Sequence, residues 1–359
     1  MNFKNRIKKL QASLKELKCD ALIVDDVLNI FYLTGQDLSL GILFITEKAA
    51  CLVVDNRYYE SCKNDCSIPV TLLKGDPFEK ILKFKNFQGI KSLGFDSQTT
   101  SHSKFMAHRK SAKQHGITLK ALNNPVIKLR SIKDNDEISA LREAAKLGSE
   151  GYDYVCSLLK PGITEIEVAR ELEIFWKRKG SKGLAFESII AFGANSSMPH
   201  YKPGHIKLKR GQPVLIDIGV NLGHYHSDMT RVPFFGQPSK AMREIYDVVK
   251  IAQEAALKMC QPGVKIGDID AEARSVMANY GYEKNFTHSL GHGVGLEIHE
   301  LPFMRSNSKE TLKPGMVITI EPGVYVPGEG GVRIEDTVVI HSEGYENLTC
   351  RPKDLLVIK

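Results

Sequence analysis

The sequence lacks the features that would take it into a membrane, across one, or onto nucleic acid. No run approaches the ~20 apolar residues of a membrane span. Met1 to Lys18 carries Lys4, Arg6, Lys8 and Lys9, yet it has no apolar signal core and no cleavage site. Ile7, Leu10, Leu14 and Leu17 recur there at spacings of three and four, which reads as an amphipathic helix instead. A cytoplasmic location is expected, with no membrane partner. Among seven cysteines (Cys19, Cys51, Cys62, Cys66, Cys156, Cys260 and Cys350) there is no C-x-x-C pair. Cys62 and Cys66 have no partner pair downstream, so a zinc site there is not expected, and the odd count fits free thiols. Net charge is +7, but the basic residues are spread out, and small clusters such as Arg109-Lys110 with Lys113 read as solvated surface. No zinc finger, RNP or helix-turn-helix pattern is present, so nucleic acid is not an expected partner.

What is present is an ordinary globular composition, with 42% hydrophobic and 25% charged residues in 359, enough for two domains with cores of their own. The first third reads as α/β. A helix is expected over residues 3–18, strands at Ala21 to Val24, Gly41 to Thr46, Ala50 to Val54 and Ser92 to Phe95, and a helix from about 103 to 115. Pro125 and the polar run Lys133-Asp134-Asn135-Asp136 mark a boundary, giving domains of 1–130 and 131–359. Asp134 or Asn135 is expected to cap a long helix.

The second domain repeats itself. A helix ends near Leu159-Lys160-Pro161-Gly162, and Ile166-Glu167-Val168-Ala169 opens another. A helix over about 239–260 ends near Pro262-Gly263, and Ile269-Asp270-Ala271 opens its successor. The Pro-Gly pairs lie 101 residues apart. Each stops one helix and leads into the next. Gly-rich, strand-like segments follow both units. Chance similarity would give the same pattern, but a duplication of two helix-pair-plus-sheet halves accounts for it more fully.

Chemistry concentrates in these segments. Asp217 stands in the apolar run Pro213 to Val220, where an ionised carboxylate is costly unless paired or metal-bound. Asp228 follows after a credible turn at Asn221-Leu222-Gly223-His224, so two antiparallel strands would set the carboxylates side by side. His292 lies among glycines in Ser289 to Glu300, an arrangement that lets backbone approach a ligand or metal. His299 follows, and His299-Glu300 is not a zincin helix because Pro302 interrupts it. Glu321 ends the β-branched run Val317 to Ile320. Gly331 to Ile340 reads as one strand with Arg333 and Glu335 on the same face, Arg333 being placed to support a ligand carboxylate. Taken singly, each acid is equally well explained as a salt bridge or strand-end cap. Together, four carboxylates and one imidazole are too many for one tetrahedral zinc. They suit two divalent cations, with Mn2+ favoured and Co2+, Zn2+ or Fe2+ as alternatives.

At these residues, over about 135–359, the sequence resembles the pita-bread metallopeptidases: methionine aminopeptidase, aminopeptidase P and prolidase. The first 130 residues resemble, less specifically, the N-terminal domain shared by aminopeptidase P, prolidase and creatinase. The resemblance implies an α+β fold, a duplicated pita-bread catalytic domain preceded by a smaller α/β domain. It implies that Asp217 chelates one metal, that Asp228 and Glu335 bridge both, and that His292 and Glu321 complete the other. A bridging water would be the nucleophile, with Glu321 moving its proton. His299 would donate to the scissile carbonyl oxygen, and His200, in Asn195 to His200, would contact substrate near the leaving side. Thr230 and Arg333 are expected behind the ligands. His224 and His226 depart from the family pattern. The compact length favours an Xaa-Pro aminopeptidase acting on peptides with a free N-terminus and proline second, with Xaa-Pro dipeptidase as the alternative. A pita-bread module that only binds peptide is the non-enzymatic alternative, disfavoured because every ligand is kept. A homodimer is expected by analogy.

Overall fold

The structure, a computed structural model, describes residues 1–359. The chain divides into two compact units, Met1–Arg130 and Ser131–Lys359. No helix is long and apolar enough to cross a membrane, and all seven cysteines are free.

The first unit is built on a six-stranded sheet. Its order is Val70–Leu72, Ala50–Val54, Ile42–Thr46, Ala21–Val24, Ser92–Asp96, Thr118–Leu122. The two central strands, Ile42–Thr46 and Ala21–Val24, run antiparallel, and Ala21–Val24 pairs with Ser92–Asp96 on its other side in parallel. Ala21–Val24 is buried throughout, as a continuous apolar run in the middle of a sheet should be. Helices Phe3–Leu17 and His102–Gln114 fall where periodicity places them. The short helices Tyr59–Asp65, Pro77–Ile81 and Ile127–Arg130 were not foreseen, and neither was a fourth that sits among the strands. Val27–Thr34 reads Val-Leu-Asn-Ile-Phe-Tyr-Leu-Thr, a β-branched and aromatic mixture that resembles a buried strand. Asp26 makes it a helix by accepting the Asn29 N–H, and Gly35, at φ 76°, closes it.

The second unit contains two helix pairs, Asn135–Leu158 with Glu165–Arg178 and Lys240–Lys258 with Ile266–Asn279. Asp134 and Glu137 form a reciprocal capping box at the first, and Thr164 with Glu167 forms another. The turns between paired helices use Gly162 and Gly263 at φ 83° and 85°. Both turns are tied down alike. Gly162 N donates to Leu208 O and Leu208 N to Ile163 O; Gly263 N donates to Leu312 O and Leu312 N to Val264 O. This matching lacing is what a duplicated unit leaves behind. Each pair covers its own core: Trp176, fully buried, with Val168, Leu172 and Ile216 under the first; Val249, Ile269, Ile318 and Val338 under the second. Burying each such aliphatic side chain contributes about 1.5–3 kcal/mol.

Two readings of the sheet need correction. Gly331 to Ile340 is not one strand. Gly330–Arg333 pairs with Gly323–Val326, whereas Asp336–Ile340 pairs with Val317–Ile320, and Glu335 sits in the break. Asp228 is not inside a strand opposite Asp217. It lies just before Met229–Arg231, and Thr230 is the residue opposite Asp217 on Gln212–Ile218. The expected turn is a two-residue hairpin at Gly223-His224, both at positive φ.

Candidate metal centre and catalytic cavity

The predicted residues converge on one cavity of about 650 Å³. Its wall includes Asp217, Asp228, His292, Glu321 and Glu335, together with His200, His299 and Arg333. Donor atoms of Asp228, His292 and Glu335 all lie within 4.8 Å of one another. His292 Nε2 is 3.5 Å from Asp228 Oδ2 and 3.4 Å from Glu321 Oε1.

His292 has the state a metal ligand would need. Its Nδ1 faces the Gly293 carbonyl at 3.1 Å and must donate to it, which leaves the Nε2 lone pair toward the acids. Burial, then His299 nearby, lowers its pKa to about 4, so the ring is neutral. The two rings meet edge to face at 4.3 Å. The glycines around His292 serve protein packing rather than approach to a ligand. A Cβ on Gly291 would stand 2.1 Å from Thr319 O, and one on Gly293 would stand 2.3 Å from Leu301 O.

The carboxylates are crowded. Burial raises Asp228 well above the carboxylate range, and Glu335, Asp217 and Glu321 add to it. Burial, then Glu321 and Asp217, raises Glu335 in the same way. Glu321 is pushed up to about 8, by burial first, against the opposing Arg333. Neighbouring carboxylates in low dielectric cannot all ionise unless cations lie between them. The neutral imidazole, the converging oxygens and the charge deficit fit divalent cations.

The remaining polar groups aim this set. Arg333, buried, donates to Asp217 Oδ2, to Thr230 Oγ1 at 3.2 Å and to Tyr325 OH at 2.5 Å. Thr230 Oγ1 donates to Glu335 Oε2 at 2.7 Å. Thr230 and Arg333 therefore sit directly behind Asp217 and Glu335. Thr319 Oγ1 accepts the His292 N–H at 3.0 Å and lies 3.3 Å from Glu321 Oε1. His299 and His200 are exposed at the cavity wall. His224 faces Lys182 and is not among the cavity residues, while His226 packs on Asn221 and the Gly295 carbonyl.

Sequence reasoning missed His288, Tyr325 and Arg305. His288 Nδ1 faces the Ser289 carbonyl at 2.8 Å, so Nε2 accepts from Tyr325 OH at 2.9 Å. Burial, then Arg333, lowers His288 to about 4. Its place one residue before the Ser289 to Glu300 stretch was the only available signal. Arg305 lies over the Phe303 ring at 4.7 Å, on the cavity wall, with no carboxylate partner.

Comparison with known proteins agrees with this geometry. Residues 139–342 match the model for metallopeptidase family M24, and residues 6–132 match the creatinase/prolidase N-terminal domain. The chain is 36% identical to an Xaa-Pro dipeptidase of Pyrococcus horikoshii, over 98% of each sequence. Among solved structures it resembles an Xaa-Pro dipeptidase from Bacillus anthracis, with a TM-score of 0.95 and 34% identity over 99% of this chain and 100% of the other. It also resembles an X-Pro aminopeptidase from Thermotoga maritima, with a TM-score of 0.88 and 32% identity over 97% and 100%.

Proposed function

The chain belongs to metallopeptidase family M24, and from that premise we propose that it is an Xaa-Pro dipeptidase. This revises the sequence-based preference for an aminopeptidase, which rested on compact length. Length does not separate the two activities, since the Xaa-Pro dipeptidase of P. horikoshii and the X-Pro aminopeptidase of T. maritima both align over nearly their whole chains. The relatives named above as dipeptidases match this chain at equal or higher identity.

The observation that carries the reading is the composition of the cavity: a cluster of acids and an imidazole able to hold cations on one wall and an unpaired guanidinium, Arg305, on the same lining. A dipeptide presents its terminal carboxylate one residue beyond the scissile bond. Arg305 is the group we assign to receive it, and a longer peptide would bring a neutral amide there instead.

Asp217, Asp228, His292, Glu321 and Glu335 would hold two divalent cations, Mn2+ being favoured by the oxygen-rich set. When bound, those cations supply Lewis-acid activation of a water and of the scissile carbonyl. Glu321 would take the water's proton and deliver it to the proline nitrogen as the C–N bond breaks. His299 would donate to the carbonyl oxygen as charge builds on it, and His200 would line the proline side. Proline's nitrogen carries no hydrogen in the bond to be cleaved, so the proton delivered there creates the departing secondary amine.

The test compares hydrolysis of Ala-Pro and Ala-Pro-Gly with Mn2+, Co2+ and Zn2+, in the wild type and in Asp228→Asn. Preference for Ala-Pro, abolished in the variant, is expected. Preference for the tripeptide would restore the aminopeptidase reading. Inactivity with all three metals, alongside peptide binding, would leave the binding module.

A further inference from the structure

Glu165 is the first residue of the Glu165–Arg178 helix and is fully buried, yet no cation pairs with it. Its carboxylate accepts four hydrogen bonds. Oε1 accepts from Phe192 N at 2.8 Å and Asn195 Nδ2 at 2.9 Å. Oε2 accepts from Tyr201 OH at 2.7 Å and Gly204 N at 3.1 Å. All four donors belong to one stretch, 192–204, and that stretch carries His200. A solitary buried carboxylate is costly, and four aligned donors are what offset the cost.

The stretch starts at the end of the strand Ile189–Phe192 and passes through a short 3-10 turn at Gly193–Ser197; from Met198 to Gly211 it belongs to no helix or named strand. Around His200 its backbone is held by Tyr201 N to Met198 O at 3.2 Å and by Ile166 N to Gly204 O at 3.0 Å. Glu165 grips it on both sides of His200, through Asn195 before and Tyr201 after, and Asn195 Nδ2 also donates to Tyr201 OH at 2.8 Å. A second tie joins it to the side of the acid cluster, where Ser196 Oγ accepts the Gly331 N–H at 2.8 Å, on the strand that also bears Arg333.

The other half of the duplication works alike. Asp270, fully buried on the matching helix Ile266–Asn279, accepts the Leu290 N–H at 3.1 Å. It holds Arg274, which reaches the carbonyls of Phe286 and His288 at 3.1 and 2.6 Å. The segment so held runs into His292.

We propose that Glu165 is a positioning residue for His200: its carboxylate fixes the 192–204 segment so that the imidazole meets the proline side of the substrate. This rests on the reading of His200 as a substrate-contacting group. Glu165→Gln keeps the shape but turns one acceptor into a donor facing two donors. The loop should loosen while the metal cluster, built on other strands, stays intact.

The experiment crosses Glu165→Gln with His200→Ala in the full-length, Mn2+-loaded protein. It reads kcat and KM for Ala-Pro, together with hydrogen exchange of peptides from 192–204. Glu165→Gln is expected to lower kcat/KM by about tenfold to a hundredfold, the range for displaced substrate-positioning groups. In the His200→Ala background it should cost no more than about twofold, since the group it positions is gone. Exchange should quicken within 192–204 and not in Gly291–Gly293. Asn195→Ala, which removes one donor and leaves three, should give the same pattern more weakly, and it serves if the glutamine variant does not fold. Equal losses in both backgrounds, or unchanged exchange of the loop, would overturn the proposal. If His200→Ala itself leaves kcat/KM unchanged, the reading of His200 falls and the proposal with it. If His200→Ala costs activity and Glu165→Gln does not, the proposal alone falls.

Discussion

Arg231 offers the sharpest test of how the site is supported. It is 1% exposed and donates from every nitrogen. Nη2 meets Asp336 Oδ1 at 2.6 Å and Arg351 O at 2.8 Å; Nη1 meets Thr230 O at 2.9 Å and Glu335 O at 2.5 Å; Nε meets Pro352 O at 3.1 Å. Burial alone would raise Asp336, but Arg231 and Lys353 outweigh it and hold the carboxyl below its usual range. Arg231→Met removes this charge with little change of volume. Breaking a buried pair by deleting one partner costs about 3–5 kcal/mol. Lys353 at 3.0 Å and Gln253 at 2.9 Å still serve Asp336 Oδ2, which reduces the loss, while four carbonyls lose a donor, which increases it. We therefore expect about 4 kcal/mol, the middle of that range. For a unit of this size each kcal/mol shifts Tm by about 2–4 °C, so thermal unfolding followed by circular dichroism should fall by about 8–16 °C. Asp336→Asn in the same molecule should recover part of the loss, with a coupling of about 1–3 kcal/mol. Because Arg231 holds the Glu335 carbonyl, Mn2+ affinity should also fall by about 10–100-fold. A loss below about 1 kcal/mol, or a strictly additive double variant, would refute the argument that this pair is a coupled support.

Other outcomes follow from the same geometry. Arg305→Met should raise KM for Ala-Pro by about tenfold or more, the worth of a charge-assisted contact, with little change for Ala-Pro-Gly; equal effects on both substrates would remove Arg305 from carboxylate recognition. Without cations, Glu321 titrates near 8 when folded but near 4.3 when unfolded, so the folded state holds the proton more tightly and stability falls as pH rises between those values. The Tm gain on adding Mn2+ should therefore grow from pH 5 to pH 8, and a gain that is flat over this range would contradict the crowded-acid picture. Asp25, buried, accepts from Thr100 Oγ1 at 2.9 Å and lies 3.0 Å from His108 Nε2. Burial raises it, but His108 and Thr100 outweigh that and lower it, so its contribution is full above about pH 4 and lost below. Asp25→Asn should speed hydrogen exchange in Ala21–Val24 at pH 7 and much less at pH 3; an equal effect at both would show that the charge is not what matters.

The candidate metal set was legible because an acid inside an apolar run is a contradiction that only a partner resolves. Asp217 and Glu321 announce themselves in this way, and the two Pro-Gly turns announce the duplication. Of the supports, Arg333 and Thr230 were legible as residues, but their partners, and Arg231 altogether, were not. The Arg333–Asp217 pair joins residues 116 apart in sequence, and Arg231 meets Pro352 across 121. No local pattern encodes such a meeting. Glu165 drew no notice in the sequence, where an acid in the first turn of a helix is already favourable for the dipole alone. Its role shows only when four donors close around it. The Val27–Thr34 helix was missed because its side chains suit a strand, and the deciding signals were the single residues at its ends, Asp26 and Gly35.

The broken strand at Glu335 explains why the acids converge at all. In a continuous strand, Arg333 and Glu335 would point the same way about 6.6 Å apart, side by side rather than toward a common centre. Instead the ladder stops after Arg333 and resumes at Asp336. Glu335 N turns to Thr230 O at 3.2 Å, which carries its carboxylate to Thr230 Oγ1 and into the donor cluster. Asp228 and Glu321 occupy the same kind of position, one just before Met229–Arg231 and the other just after Val317–Ile320. Three of the four carboxylates therefore sit where regular pairing is given up. Asp217, inside its strand, is the one that needs a buried arginine to aim it. Strand ends can turn their side chains inward from several directions, and a set of alternating strand interiors cannot. This makes the interruptions in these strands, as much as the acids themselves, the feature that gathers the donors of a candidate cation site on a duplicated sheet.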